Sequence, residues 1–419
     1  MKRLKTLVED YRQIELPIKN VIVSEFFIQL VNATFMNILP LYMHREGFSA
    51  QEIALFITFR FIGVFALALP LGRYMKQRKL MPMFYLSNYC VPFFGIMIVL
   101  CISFHLKMLT LLMLVLWGAS FTFMQIPVFP FILRNANKDK QTAAISLSYS
   151  TWSFGGILSG SVIAILDYIN PQIFDERFIL LLFSVLGFGG IYFLARIKNF
   201  KEIEVDAKQT EEKIVEGKTD WPIVIKALIP TLIIATGAGL TIPFISLFFD
   251  EVHHVGKGGF SVLSFIASIL VAFFALMVPQ IKEKIGYQIA IPGTQSLAVM
   301  SLVALATTQY YAQLPIAVVI AAVCYLLRQP LMNMAGPMTS ELVLNYVGTK
   351  NREITSALIS AIWSGSWVLS GFMVSVMFGY EFTFATIFLI TALMYAFGVV
   401  MYYLLILDYN RRHANGEIE

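Results

Sequence analysis

The sequence is short of charge. Asp, Glu, Lys and Arg make up 14% of its 419 residues, against about 25% in soluble proteins, so a soluble domain with an ordinary polar surface is excluded. The few charges crowd into short segments between apolar stretches of about 20 residues or more, as in a polytopic helical membrane protein. Cysteine is nearly absent: Cys90, Cys101 and Cys324 all fall inside apolar stretches, so no disulfide framework is expected. The five histidines, His44, His105, His253, His254 and His413, fall in loops or tails. No His, Cys or carboxylate cluster has metal-ligand spacing, and a nucleophile elbow, a phosphate loop and HExxH are all missing. No cofactor is therefore expected, and ATP is excluded as a direct energy source in this chain. The charged N-terminus, Met1 to Asn20, lacks the apolar core of a secretory signal, so the first apolar stretch is expected to stay as a membrane helix. What is present is apolar: 58% hydrophobic residues, with 36 Phe and 19 Met.

A hydrocarbon core of about 30 Å takes roughly 20 helical residues, and this spacing predicts twelve membrane helices. They lie near 19–43, 51–74, 80–103, 108–133, 141–168, 176–196, 221–249, 259–280, 287–308, 315–340, 354–379 and 383–407. Lys and Arg crowd the two termini, the 2–3, 4–5, 8–9 and 10–11 loops and the middle segment. The opposite loops carry Arg45, Lys107, Arg177 and Lys257. The asymmetry predicts cytoplasmic termini. It also accounts for the net charge of +5, whose expected counterpart is anionic membrane lipid and not nucleic acid.

Residues 197–220 form the one long polar stretch, of mixed charge and without apolar periodicity, and read as a cytoplasmic linker. It separates an N-terminal bundle, 1–196, from a C-terminal bundle, 221–419, each with six predicted helices. An internal repeat joins the halves: Leu147, Trp152, Ser153, Leu158, Ser159 and Gly160 match Leu358, Trp363, Ser364, Leu369, Ser370 and Gly371 without a gap. The fifth and eleventh helices run in the same direction, so the repeat is parallel.

This 6+6 parallel pattern, with cytoplasmic termini and a polar middle segment, resembles the major facilitator superfamily over essentially the whole chain. Pro279-Gln280-Ile281-Lys282-Glu283-Lys284-Ile285-Gly286 matches the family's loop pattern G-x-x-x-D-[RK]-x-G at the acid, the base and the second glycine. Gly72-Arg73-Tyr74-Met75-Lys76 keeps the first glycine of the 2–3 copy but carries Lys76 at the acid position. The resemblance implies an all-α polytopic fold of two parallel six-helix repeats and a secondary transporter working by alternating access. It also implies a cytoplasmic gate in which Glu283 faces the start of helix 5 near Gln141 and Thr142; because Lys76 departs from the family's second acid, the matching contact is expected to be reversed, with Glu353 at the start of helix 11 answering the bases around Lys76.

Ionisable groups deep in a span cost about 2.5 kcal/mol or more on insertion scales, so each is a functional candidate. Glu25, Gln29 and Asn32 stand at i, i+4 and i+7, on one face of helix 1. Glu25 has two readings, a paired structural acid or a proton-carrying carboxyl. Arg60 and Arg328 fall near mid-depth. Each is either a packing clamp, bound to helix carbonyls or to Glu25, or a fork for a substrate carboxylate, sulfate or phosphate, and Pro330 after Arg328 loosens the helix there. Trp152, Trp363 and Tyr149 lie near mid-depth, away from the interfaces where tryptophan collects, as packing or as substrate contacts. Together these groups predict a proton-coupled transporter of a small organic anion or zwitterion, acting as a monomer. A multidrug efflux antiporter is the alternative, supported by the Met-rich interior but lacking the glycine-proline pair of many such antiporters. An intramembrane enzyme is a third reading and lacks convergent His, Asp or Cys groups in its spans.

Overall fold

The structure is a computed structural model. It describes residues 14–75, 78–197 and 220–415. Within the helices, the side chains of 69, 72–73, 133, 138–143, 275–276, 279–280, 282–283, 287, 349–350, 352–353, 356–357 and 360 stand outside the description. Among the described residues there is no strand, and 12 helices are long and apolar enough to cross a membrane. We number them α1 (Leu16–Arg45), α2 (Ala50–Ala68), α3 (Met81–Ser103), α4 (Lys107–Ile132), α5 (Ala144–Ile169), α6 (Glu176–Ala195), α7 (Trp221–His253), α8 (Lys257–Phe274), α9 (Gln288–Tyr311), α10 (Pro315–Tyr346), α11 (Ala361–Gly379) and α12 (Phe384–Ala414).

Several helices are interrupted, each for a local chemical reason. In α7 the α-helix stops at Thr241, a 3-10 turn covers Ile242–Phe244, and helix resumes at Ile245. Pro243 in that turn has no N–H to continue the ladder. α4 breaks beside Pro127, and α6 breaks at Phe188 between two glycines. The predicted 8–9 loop is one residue long: helix runs from Lys257 to Thr307 except at Gly286, whose φ of 68° and ψ of 171° no L side chain adopts easily. Gly348, with φ of 74°, makes the equally short turn after α10.

The chain forms two compact units, Met1–Gly47 with Phe59–Val215, and Phe48–Thr58 with Glu216–Glu419. In the first, α1 packs on α5 and α6, and α3 on α4. In the second, α7 packs on α11 and α12, and the α8–α9 run on α10. Membrane helices gain little hydrophobic drive from meeting one another, so small residues that let backbones approach decide where they cross. A Cβ on Gly155 would stand 3.1 Å from the Gln29 backbone of α1. At the related crossing in the second unit, Ser370 donates its hydroxyl to the Thr236 carbonyl at 2.6 Å, beside Gly239. The start of α2 is seated on α11 in the same way, with Gly371 against Thr58 and Ser375 donating to the Gln51 carbonyl at 3.2 Å.

Candidate functional site

In the first unit the predicted face of α1 is buried: Glu25, Gln29 and Asn32 are 4%, 6% and 1% exposed. Ser148 of α5 donates to Glu25 Oε2 at 2.6 Å. Asn32 donates to Gln29 Oε1 at 3.3 Å and accepts from Arg60 Nη2. Arg60 Nη1 faces the Met36 sulfur. The guanidinium lies 4.4 Å from the Trp117 ring centre, and Trp117 stacks on Phe35 at 5.0 Å. A desolvated cation over an indole contributes about 2 kcal/mol or more.

The sequence sets this up at the α2–α4 crossing. A Cβ on Gly63 would overlap the Val115 carbonyl, and one on Gly118 would overlap the Arg60 carbonyl. Two bare Cα atoms therefore bring the backbones together and lay Arg60 on the indole beside Gly118. The sequence reading offered Glu25 as one partner of Arg60; the structure gives the arginine Asn32, Met36 and Trp117 instead, and gives Glu25 the Ser148 hydroxyl. Ser148 carried no signal beyond its place beside the repeat residue Leu147.

In the second unit Arg328 is 1% exposed. Its Nη2 donates to the Tyr395 hydroxyl of α12 at 3.2 Å, whereas Nε and Nη1 find no acceptor among the described residues. Tyr395 is seated because Gly237 of α7 has no side chain, since a Cβ there would stand 2.9 Å from the ring. Tyr325, one turn before Arg328, packs between Phe249 and Phe260, 5.8 Å and 5.7 Å between ring centres.

The predicted aromatics stand apart from these clusters. Tyr149, Trp152 and Trp363 are 67%, 57% and 39% exposed. Tyr149 leans on Phe129 at 4.9 Å. Among the described residues no hydrogen bond or ring contact joins Trp152 or Trp363 to Glu25, Arg60 or Arg328. Of the gate residues, Lys284 is exposed and Gly286 makes the turn. Lys76 and the side chains of Gly72, Glu283 and Glu353, with Gln141 and Thr142, lie outside the described residues.

Two networks escaped the sequence reading. At one end of the second unit, Asp408 accepts from Lys226 at 2.7 Å and from the Tyr346 hydroxyl at 2.6 Å, tying α7, α10 and α12 together. In the first unit the buried Glu176 pairs with Arg45 at 2.9 Å. Both acids stand at predicted span ends, where spacing alone does not distinguish a solvated charge from a paired one.

The Major Facilitator Superfamily profile matches residues 8–160. No curated protein matches the sequence. Solved structures share the fold: the D-xylose-proton symporter, at TM-score 0.72 and 12% identity, over 92% of this chain and 96% of that one; and a POT family transporter in complex with 5-aminolevulinic acid, at 0.71 and 11%, over 94% and 96%. A bacterial homologue of the iron transporter ferroportin in an inward-facing state aligns at 0.69 and 13%, over 92% and 98%. With twelve membrane-length helices among the described residues, the chain is an integral membrane protein; its residues 8–160 match the major facilitator superfamily profile, and its fold is the one these solved transporters share.

Proposed function

We propose that this protein is a secondary, proton-coupled transporter of the major facilitator superfamily, that it moves a small organic anion or zwitterion by alternating access, and that it works as a monomer in a bacterial plasma (inner) membrane with both termini cytoplasmic. The observation that carries the reading is Glu25, a buried membrane carboxyl held by one hydroxyl, that of Ser148. Ionised, it accepts the serine hydrogen; protonated, it can present its own hydrogen to the serine oxygen. Glu25 can thus exchange a proton without losing its neighbour. Further along the same helix face, Gln29 and Asn32 lead to Arg60, so a change at Glu25 lies two helical turns from a buried positive charge. Arg60 and Arg328 supply the cationic character that suits an anionic group. The Lys and Arg asymmetry of the loops supports the orientation. The D-xylose-proton symporter is a precedent for coupling on this fold and no more, at 12% identity.

The experiment is uptake into proteoliposomes containing the purified chain, with an imposed pH gradient and a panel of labelled monocarboxylates, amino acids and amphipathic cations. The reading predicts accumulation of an anionic or zwitterionic member that collapses when the gradient is dissipated. Gradient-independent uptake would overturn the coupling, and movement of amphipathic cations alone would favour the drug antiporter.

A further inference from the structure

The two membrane arginines are in different chemical situations, and the difference points to a binding site. Arg60 has Asn32 on one nitrogen, the Met36 sulfur on another and the Trp117 face beneath it. Arg328 is more deeply buried, at 1% exposure against 7%, and less satisfied: it makes one hydrogen bond, from Nη2 to Tyr395, and among the described residues neither Nε nor Nη1 finds an acceptor, whereas in Arg60 only Nε is left over. A guanidinium has N–H donors and no acceptor, so those groups can be answered only by an electron-pair donor. The described residues of the second unit include no buried carboxylate. The neighbouring groups are hydroxyls: Tyr395, and Tyr325, which is hydrogen-bonded with Ser264 of α8 and with Gln329. A buried positive charge without a counter-charge is among the most expensive arrangements a protein can hold, and among the described residues Arg328 has none.

We infer that Arg328, with Tyr395 and Tyr325, forms a binding site inside the second unit for one monovalent anionic group, either a chloride-sized ion or the carboxylate of a solute. One guanidinium balances one negative charge, and the site has no second cation. A dianion such as sulfate would bring an uncompensated charge into an apolar surround, which the site disfavours. Tyr395 orients the guanidinium through Nη2 and leaves Nε and Nη1 for the ligand. The hydroxyls can turn their hydrogens toward an anion, whereas a cation would have to enter beside the positive guanidinium itself. The inference deepens the function proposed above and rests on it for the solute carboxylate; the chloride alternative stands without it.

The test uses the full-length purified protein in detergent and reads the thermal unfolding midpoint against sodium chloride, sodium acetate and sodium sulfate at matched ionic strength. Taking wild type minus Arg328→Gln at each salt removes the general salting effect. A ligand that binds only the folded protein raises the midpoint in a saturable way. Saturable shifts with both chloride and acetate in the wild type, absent in Arg328→Gln and absent with sulfate, identify a small-anion site. A shift with acetate alone identifies the carboxylate of a solute. Tyr395→Phe, which keeps the ring and its seat, should raise the half-saturating concentration about tenfold, the effect of losing one group that orients a charge-assisted bond. This variant carries the test if Arg328→Gln does not fold. The inference is overturned by a wild type that responds to neither monovalent anion, by a saturable response to sulfate equal to that for chloride, by a response retained in Arg328→Gln, or by an unchanged half-saturation in Tyr395→Phe. The readout needs no proton gradient and no transport, so its failure would leave the Glu25 proposal standing, and failure of proton coupling would leave this site standing.

Discussion

At the residue scale, the account depends on how a few polar side chains are satisfied in a medium without water. Arg60 illustrates the rule: its flat guanidinium lies on Trp117 while one edge reaches Asn32. A lysine is a compact point charge that cannot do both. Arg60→Lys should lower stability by about 1–2 kcal/mol, read as a lower unfolding temperature in detergent, and an unchanged temperature would contradict the stacking account. The spacing of Glu25, Gln29 and Asn32 was legible in the sequence because a helix repeats every 3.6 residues, and burial of all three followed from their place in an apolar span. Their partners were not legible. Periodicity tells which face a residue occupies on its own helix but not which residue of a distant helix meets it, so Ser148 opposite Glu25 and Asn32 opposite Arg60 emerged only from the packing. Trp152 and Trp363, which share a place in the repeat, are both exposed.

At the element scale, glycine sets the crossings and the turns. The α2–α4 crossing leaves no room for a methyl group at Gly118, where a Cβ would overlap the Arg60 carbonyl. Gly118→Ala should therefore cost about 1–3 kcal/mol through forced separation of the helices. Gly293 of α9 has nothing within 4 Å of its Cβ position, so Gly293→Ala should leave the unfolding temperature within error or raise it. Equal effects from the two substitutions would contradict the crossing geometry. Gly286→Ala tests a different use of glycine. It puts a Cβ at φ of 68° and ψ of 171° in open space, so its cost is backbone strain of about 1–3 kcal/mol and should be insensitive to neighbouring side chains. All twelve predicted spans correspond to helices, because about 20 apolar residues in a row have few other solutions in a bilayer. What composition could not reveal was the brevity of the α8–α9 turn, where helix resumes after a single residue, or the 3-10 break in α7. Helix continuity through a polar loop leaves hydropathy unchanged.

At the scale of the whole molecule, the two units repeat a packing scheme, with α1 on α5 in one and α7 on α11 in the other, yet they carry different charges. Among the described residues the first unit holds the buried acids Glu25 and Glu176 together with Arg60, and the second holds Arg328 with no buried acid. The repeat was visible in the sequence through Trp152-Ser153 and Trp363-Ser364, whereas the division of charge followed from single residues that break it. In the proposed function the division is one of labour, with the proton at Glu25 in the first unit and an anionic group at Arg328 in the second. The proton half of that claim has a direct test: proteoliposomes containing wild type or Glu25→Gln, assayed side by side for solute accumulation under an imposed pH gradient and for exchange of labelled against unlabelled solute without one. Exchange moves no net proton, so the account predicts that Glu25→Gln loses accumulation and keeps exchange. A variant that accumulates solute as the wild type does would contradict it.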